Sequence, residues 1–232
     1  MFRFDFHIHS EYSCDSTRSI ASIVDAALKK GLSGIAIADH NTFEGNLAAQ
    51  KYVEENSIPL KIIPAQELET DEGEILALFI KREIKSKKFP DVLLEVHAQG
   101  GLIVMPHPYR NFPGFTKHAS KFDFIEVHNS RTYTPENLKA MELAKRHGVM
   151  EIVGSDAHWL HEIGHDVVVF QSLKDIRGQL LRGLYATECA KRSHLDVSFC
   201  RNATAYVKGG IPYLFEKGLW TLKRMFSSKN AN

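Results

Sequence analysis

Of the 12 histidines in the 232-residue chain, most that could do chemistry fall in short, similar settings. His7 and His9 stand two apart in DFHIHS, with Asp15 just beyond. His40 closes ADH, Glu67 sits in AQELE, His107 in MPHP, His128 in EVHN, and Asp156 and His158 stand two apart in SDAH. Imidazole and carboxylate together suit zinc, manganese or iron, and a carboxylate with two oxygens can bridge neighbouring ions. Side chains two apart on an extended strand point the same way, so His7 and His9 could chelate one ion, and Asp156 with His158 repeats that geometry. These nine residues exceed the needs of a single ion. Any one of the histidines alone would read more simply as a core or surface residue.

The elements that must position them alternate short β-rich apolar runs with helical patterns, an α/β arrangement. Strands are expected near Phe2 to Ile8, Gly34 to Ala38, Lys61 to Gln66, Glu74 to Ile80, Leu102 to Met105, Phe122 to Val127 and Glu151 to Gly154, with another possible at Val167 to Phe170. Ile20, Ile23, Val24, Ala27 and Leu28 form a helical stripe that Ser19 could cap and Gly31 could end. Thr134, Pro135 and Glu136 mark a second helix start, with Gly148 as its stop, and a third helix is expected from Pro90 to Ala98. Every expected strand except the fourth is followed by a histidine or carboxylate. In a parallel α/β barrel the strand C-termini share one mouth, so residues scattered from 7 to 158 would converge there. The alternation stops near residue 185, which divides the chain into a barrel over 1–185 and an appendage over 186–232.

Bulk composition excludes several classes. A net charge of +1 gives no general attraction for polyanions, so nucleic-acid binding is not implied. Cys14, Cys189 and Cys200 show no CxxC spacing and read as free thiols. No signal peptide or membrane span is apparent, and a cytoplasmic protein is expected.

Taken together, DFHIHSEYS, ADHNT, AQELE, MPHP, EVHN and GSDAH resemble the PHP (polymerase and histidinol phosphatase) superfamily over roughly residues 1 to 170. The resemblance implies a distorted seven-stranded, TIM-like β/α barrel, here with a C-terminal helical appendage. It implies one ion on His7, His9, Glu67 and Asp156, with Glu67 bridging to a second ion on His107 and His128, and a third on Asp15, His40 and His158. Two or three divalent ions (manganese, zinc or iron) would be the cofactors, and Glu67, Asp156 and His158 the catalytic residues. Asp15 stands where some relatives carry histidine, an oxygen ligand that favours a harder ion such as manganese.

The expected activity is release of phosphate from a small phosphomonoester by a metal-bridging hydroxide. A 3'-5' exonuclease and a noncatalytic metal-bearing module are the rival readings. Arg131, Arg110 and Arg18 each stand beside a metal motif and offer a planar fork for phosphate oxygens, Arg131 first. Asp5 and Asp39 are candidates to orient imidazoles, with a strand-end contact as the alternative. His161 and His165 are left without a role, and His97, His118, His147 and His194 read as structural. Near the C-terminus, Phe215, Leu219, Leu222 and Phe226 follow helical spacing among Lys217, Lys223, Arg224 and Lys229. That helix is expected to dock on the barrel, on a partner or on a membrane surface.

Overall fold

The computed structural model describes residues 1–110 and 113–204; the basic amphipathic segment expected around residues 215–229 lies outside them. In chain order the elements are β1 (Phe2–Ile8), α1 (Ile20–Lys29), β2 (Gly34–Ile37), α2 (Glu44–Glu55), β3 (Lys61–Glu69), β4 (Glu74–Leu78), α3 (Phe89–Ala98) and β5 (Leu102–Met105). A 3₁₀ segment (Pro113–Lys121) leads to β6 (Phe124–Asn129), α4 (Thr134–His147), β7 (Met150–Gly154), β8 (Asp166–Phe170), α5 (Ile176–Leu181) and β9 (Ala186–Cys189). A further helix among the described residues, α6, covers residues 194–204.

One sheet holds the nine strands of the described residues, in the order β7-β6-β5-β4-β3-β2-β1-β8-β9. It is nearly closed into a barrel where the end of β1 meets the chain just past β7. There Ile8 bridges Ala157, the His9 N–H donates to Ala157 O at 2.9 Å, and the Ala157 N–H donates to His7 O at 3.1 Å.

Nine strands stand in place of the seven expected, and the sheet is mixed, because β4, β8 and β9 run antiparallel to their neighbours. The reason at β4 is connection length. Only residues 70–73 separate it from β3, too few for a parallel crossover, and Thr70 Oγ1 pins the turn by accepting from the Gly73 N–H at 3.1 Å. At β9 all four residues are exposed, so no apolar run marks it.

α1 forms where its stripe predicts. Ser19 Oγ accepts from the Ser22 N–H, Gly31 takes φ 68°, and Ile20, Ile23, Val24 and Ala27 pack under the helix with Ile35 and Ile37 of β2. Gly148, at φ 63°, ends α4 in the same way. α2 has a weaker signature because its buried face is Gly45, Asn46 and Ala49. Asn46 nails it down by bonding Ile37 O and accepting from the Ala65 N–H. No helix among the described residues is long and apolar enough to cross a membrane.

Two β-bulges decide which side chains face the mouth. In β1, Phe4 and Phe6 enter the main core, yet Ile8 joins the cluster beneath α1 and α2. The register against β2 shifts between Asp5 and Ile8, so the even positions change sides and the odd ones, His7 and His9, turn inward. The second bulge, in β6 between Glu126 and His128, has the opposite effect.

Candidate metal centre

Eight of the nine sequence-predicted ligands converge, as three overlapping groups: His9, Asp15, His40 and His158; His7, His9 and Asp156; and His7, Glu67 and His107. His9 joins the first group to the second, and His7 the second to the third. Glu67 lies at the middle, fully buried, with Oε2 3.3 Å from both His7 Nε2 and His9 Nε2 and Oε1 3.1 Å from His107 Nε2. Asp15 Oδ2 reaches His40 Nε2 at 3.2 Å and His158 Nε2 at 3.1 Å, and Asp156 Oδ1 lies 3.2 Å from His9 Nε2.

His128 is the ligand the structure does not bring in. With one extra residue in β6, Glu126 and Asn129 share the inner face and the His128 ring turns away, its Nδ1 2.8 Å from Asp166 Oδ2. Its side chain is 30% exposed, against 0% for His7.

Glu126 is the residue the sequence reading passed over, because it lies inside a strand and not at its end. It is buried, and its Oε1 holds His7 Nδ1 at 3.0 Å, which points Nε2 of that ring at Glu67. Its Oε2 accepts from the His107 N–H at 3.0 Å and from Asn129 Nδ2 at 2.8 Å. β4 also contributes: because it is antiparallel, its first residue reaches the mouth, with Glu74 Oε2 3.7 Å from His107 Nδ1. Asp5 and Asp39 act on the chain around the ligands and not on the imidazoles. Asp5 Oδ1 accepts from the backbone N–H of His7 and of Ser155, each at 3.2 Å, and Asp39 takes the Ser10 N–H and hydroxyl, each at 2.6 Å. His107 (φ 28°) and Asp156 (φ 54°) hold left-handed backbones. Such a conformation costs a non-glycine residue about 1–2 kcal/mol and tends to mark a functional position.

The donor set fits divalent cations. His9 Nε2, His40 Nδ1 and Asp156 Oδ1 are buried with no hydrogen-bond partner among the described residues, an arrangement a cation would satisfy. Burial disfavours charge on His7 and His9, but Glu67 and Asp156 outweigh it, with Glu126 adding to the effect at His7; the His7 pKa lies well above its usual value and that of His9 is raised to about 9. Burial likewise works against the carboxylates, yet Arg110 and His7 hold Asp156 well below the ordinary range, and His7 and His40 do so for Glu67. At pH 7 the His9 ring therefore carries a proton that a metal must displace, and the raised His7 pKa acts in the same direction. Binding of manganese or zinc is expected to release at least one proton per protein, with affinity rising as pH climbs toward 9. Titration calorimetry in two buffers of different ionisation heat measures this. Binding without proton release would remove His9 from the ligand set.

The three arginines are placed differently. Arg110 enters the centre, partly buried, in an ion pair with Asp156 and with Nη1 3.5 Å from Asn129 Oδ1. Arg18 lies at the rim, its guanidinium 4.9 Å from the centre of the Trp159 ring. Arg131 is not brought to the ligands. It is buried against Glu162 (Nη1 to Oε2, 3.1 Å), Cys200 O (3.1 Å) and Thr204 Oγ1 (2.8 Å), tying α6 to the barrel. Glu162 Oε2 in turn receives the His158 and Trp159 N–H groups. Arg131→Ala breaks a buried pair, at roughly 3 kcal/mol or about 10 °C in Tm. A thermal melt checks this, and an unchanged Tm would reject the bracing role. Elsewhere His118 pairs with Glu72 at 3.3 Å, His194 stacks on Tyr133 at 4.2 Å, and His161 Nε2 lies 3.6 Å from Cys200 Sγ.

A barrel-like α/β sheet with imidazoles and carboxylates clustered in its mouth defines a class of protein built to hold cations at strand ends. Within that class the chain belongs to the PHP domain family, whose model matches residues 5–208. It is 31% identical over 181 residues to an uncharacterized protein of Methanocaldococcus jannaschii, covering 73% of this chain and 70% of that one. A second uncharacterized protein of that organism is 35% identical over 116 residues, covering 45% of this chain and 67% of its own length. Among solved structures, one similar chain is a two-domain protein of Bacteroides vulgatus containing a predicted PHP-like metal-dependent phosphoesterase. Its TM-score is 0.68 at 20% identity, over 88% of this chain and 70% of that one. Another is an amidohydrolase of Chromobacterium violaceum with bound sulfate and no metal, at TM-score 0.59 and 16% identity, over 79% of this chain and 97% of that one. At these identities the two structures speak to the fold.

Proposed function

We propose that this chain is a metal-dependent hydrolase that releases phosphate from a small phosphomonoester, such as a nucleotide, a sugar phosphate or histidinol phosphate. The observation that carries the reading is the fusion of three ligand groups through His7 and His9 around one buried carboxylate, Glu67. Membership of the PHP family supports it, as does the metal-dependent phosphoesterase described for the Bacteroides neighbour.

His7, His9, Glu67 and Asp156 would hold one divalent ion, Glu67 and His107 a second, and Asp15, His40 and His158 a third. Manganese, zinc and iron all accept such donors. When bound, the ions acidify water and neutralise charge on the phosphate oxygens. The chain's own residues do the rest. Glu126 fixes the tautomer and direction of His7. Burial and the nearby Arg131 charge lower the His158 pKa to about 4, so its ring is neutral and available at pH 7. Arg110 supplies a guanidinium beside Asp156, where a phosphate oxygen can be gripped in bidentate fashion. Arg18, at the rim, is placed to meet the rest of the substrate.

The test is phosphate release by manganese-reconstituted protein from nucleotides, sugar phosphates, histidinol phosphate and short oligonucleotides, with Asp156→Ala alongside. Release from a small monoester that vanishes in the variant is the expected result. Release from oligonucleotides alone would replace the reading with an exonuclease, which the net charge of +1 does not favour. No release by metal-loaded protein would point to a noncatalytic metal-bearing module.

A further inference from the structure

His128 stands apart from the centre described above, and its neighbours there are themselves of metal-binding type. We propose that His128, Asp166 and Cys189 form a separate cation site suited to zinc. Three strands supply it: β6 gives the imidazole, β8 the carboxylate and β9 the thiol. His128 Nδ1 is 2.8 Å from Asp166 Oδ2, and one donor atom from each of the three residues lies within 4.8 Å of the other two. Asp166 and Cys189 are direct partners in the antiparallel β8–β9 ladder, and side chains directly opposed there share a face.

The carboxylate is fixed from behind. Asp166 is fully buried, and its Oδ1 accepts from the Ala190 N–H at 2.9 Å, so Oδ2 is the oxygen turned toward the imidazole. An ion pair would account for His128 and Asp166 alone. It does not account for a thiol set beside the pair from a third strand.

Imidazole, carboxylate and thiolate are the three donor types that zinc accepts, at bond lengths of about 2.0–2.3 Å, which place tetrahedral ligand atoms about 3.3–3.7 Å apart. The nitrogen and oxygen, 2.8 Å apart, have only to open by about half an ångström. The thiol closes by rotation, which its exposure permits. A cavity of about 170 Å³ lined by His128, Ser130, Thr132, Ala190 and Arg192 lies beside the imidazole, with room for water or a small ligand. Among the described residues the ligand groups of the main centre contain no sulfur, so the two sites differ in chemistry as well as in place. An ion here would clamp β9, and with it the start of α6, onto β6.

Full-length protein loaded with cobalt(II) reads this site directly, because a thiolate ligand adds a charge-transfer absorption that a centre of nitrogen and oxygen donors lacks. Wild type is expected to show that band and to retain one more equivalent of zinc, by elemental analysis, than Cys189→Ala. Cys189→Ala is expected to lose the band while the main centre keeps its metal. His128→Gln, with the thiol intact, is expected to lose the same equivalent. A band that survives Cys189→Ala, or equal zinc in wild type and both variants, overturns the site. Neither readout uses phosphate release, so the outcome is independent of the proposed activity.

Discussion

Glu67→Gln is expected to lower phosphate release by about 10⁴-fold, roughly 5.4 kcal/mol at 1.36 kcal/mol per tenfold, and to strip at least one metal equivalent from the protein. The substitution keeps the shape of the side chain and removes its charge. Glu67 Oε2 faces His7, His9 and His40 at 3.3–3.4 Å while Oε1 faces His107, so one carboxylate serves imidazoles drawn from β1 and the residue just past it, from the loop after β2 and from the loop after β5. A carboxamide offers one acceptor and a donor that points at a cation. Arg110→Ala is the contrasting variant: it too should lose activity, but with metal content unchanged, because the guanidinium touches Asp156 and Asn129 and is no ligand. Elemental analysis beside steady-state rates separates the two. Wild-type metal content and a rate within tenfold of wild type in Glu67→Gln would remove Glu67 from the centre.

Much of the centre was legible because its residue types recur at one kind of place, the C-terminal end of a strand, and that placement survives errors of a residue or two in the strand boundaries. What was not legible is the side-chain direction that bulges set. Strict alternation puts Glu126 and His128 on the same face, so the histidine looked like a ligand and the glutamate like an ordinary strand residue. One extra residue in β6 separates them, leaving Glu126 at His7 and turning His128 toward Asp166. The bulge in β1 acts in the other direction and was harmless to the reading, because His7 and His9 both lie beyond its start.

Arg131 shows a related limit. Its closeness in sequence to EVHN says nothing of direction, and the turn in which the Thr132 N–H bonds Asn129 O at 2.9 Å accompanies a side chain directed at Glu162 and α6. Its partners Glu162, Cys200 and Thr204 are 31 to 73 residues away in sequence, beyond any local pattern. Antiparallel β4 could have been anticipated from the four-residue link that precedes it, whereas β9 and α2 could not. Apolar periodicity is the signal for an element, and these two bury little that is large.

Gly154→Ala is expected to damage the centre without touching a ligand. Gly154 ends β7 two residues before Asp156, and a Cβ there would lie 2.4 Å from Glu126 Oε1 and 2.7 Å from His7 Cβ. Neither neighbour has room to yield. Glu126 is held by the His107 N–H and Asn129 as well as by His7, and His7 belongs to β1, which is paired on both sides by β2 and β8. Overpacking of this kind costs about 1–3 kcal/mol, and a displaced Glu126 leaves buried donors unmet at about 1–3 kcal/mol more. Together these amount to roughly 10 °C of Tm in a chain of this size. The functional loss should exceed what stability alone explains. Once Glu126 no longer holds Nδ1, the His7 ring is free to turn, and losing such a partner typically costs a metal site about 10–100-fold in affinity or activity. The deciding measurement is metal affinity and kcat at a temperature where the variant is fully folded. A lower Tm with unchanged affinity and kcat would mean that His7 keeps its direction without Glu126, and that the carboxylate is there for packing alone.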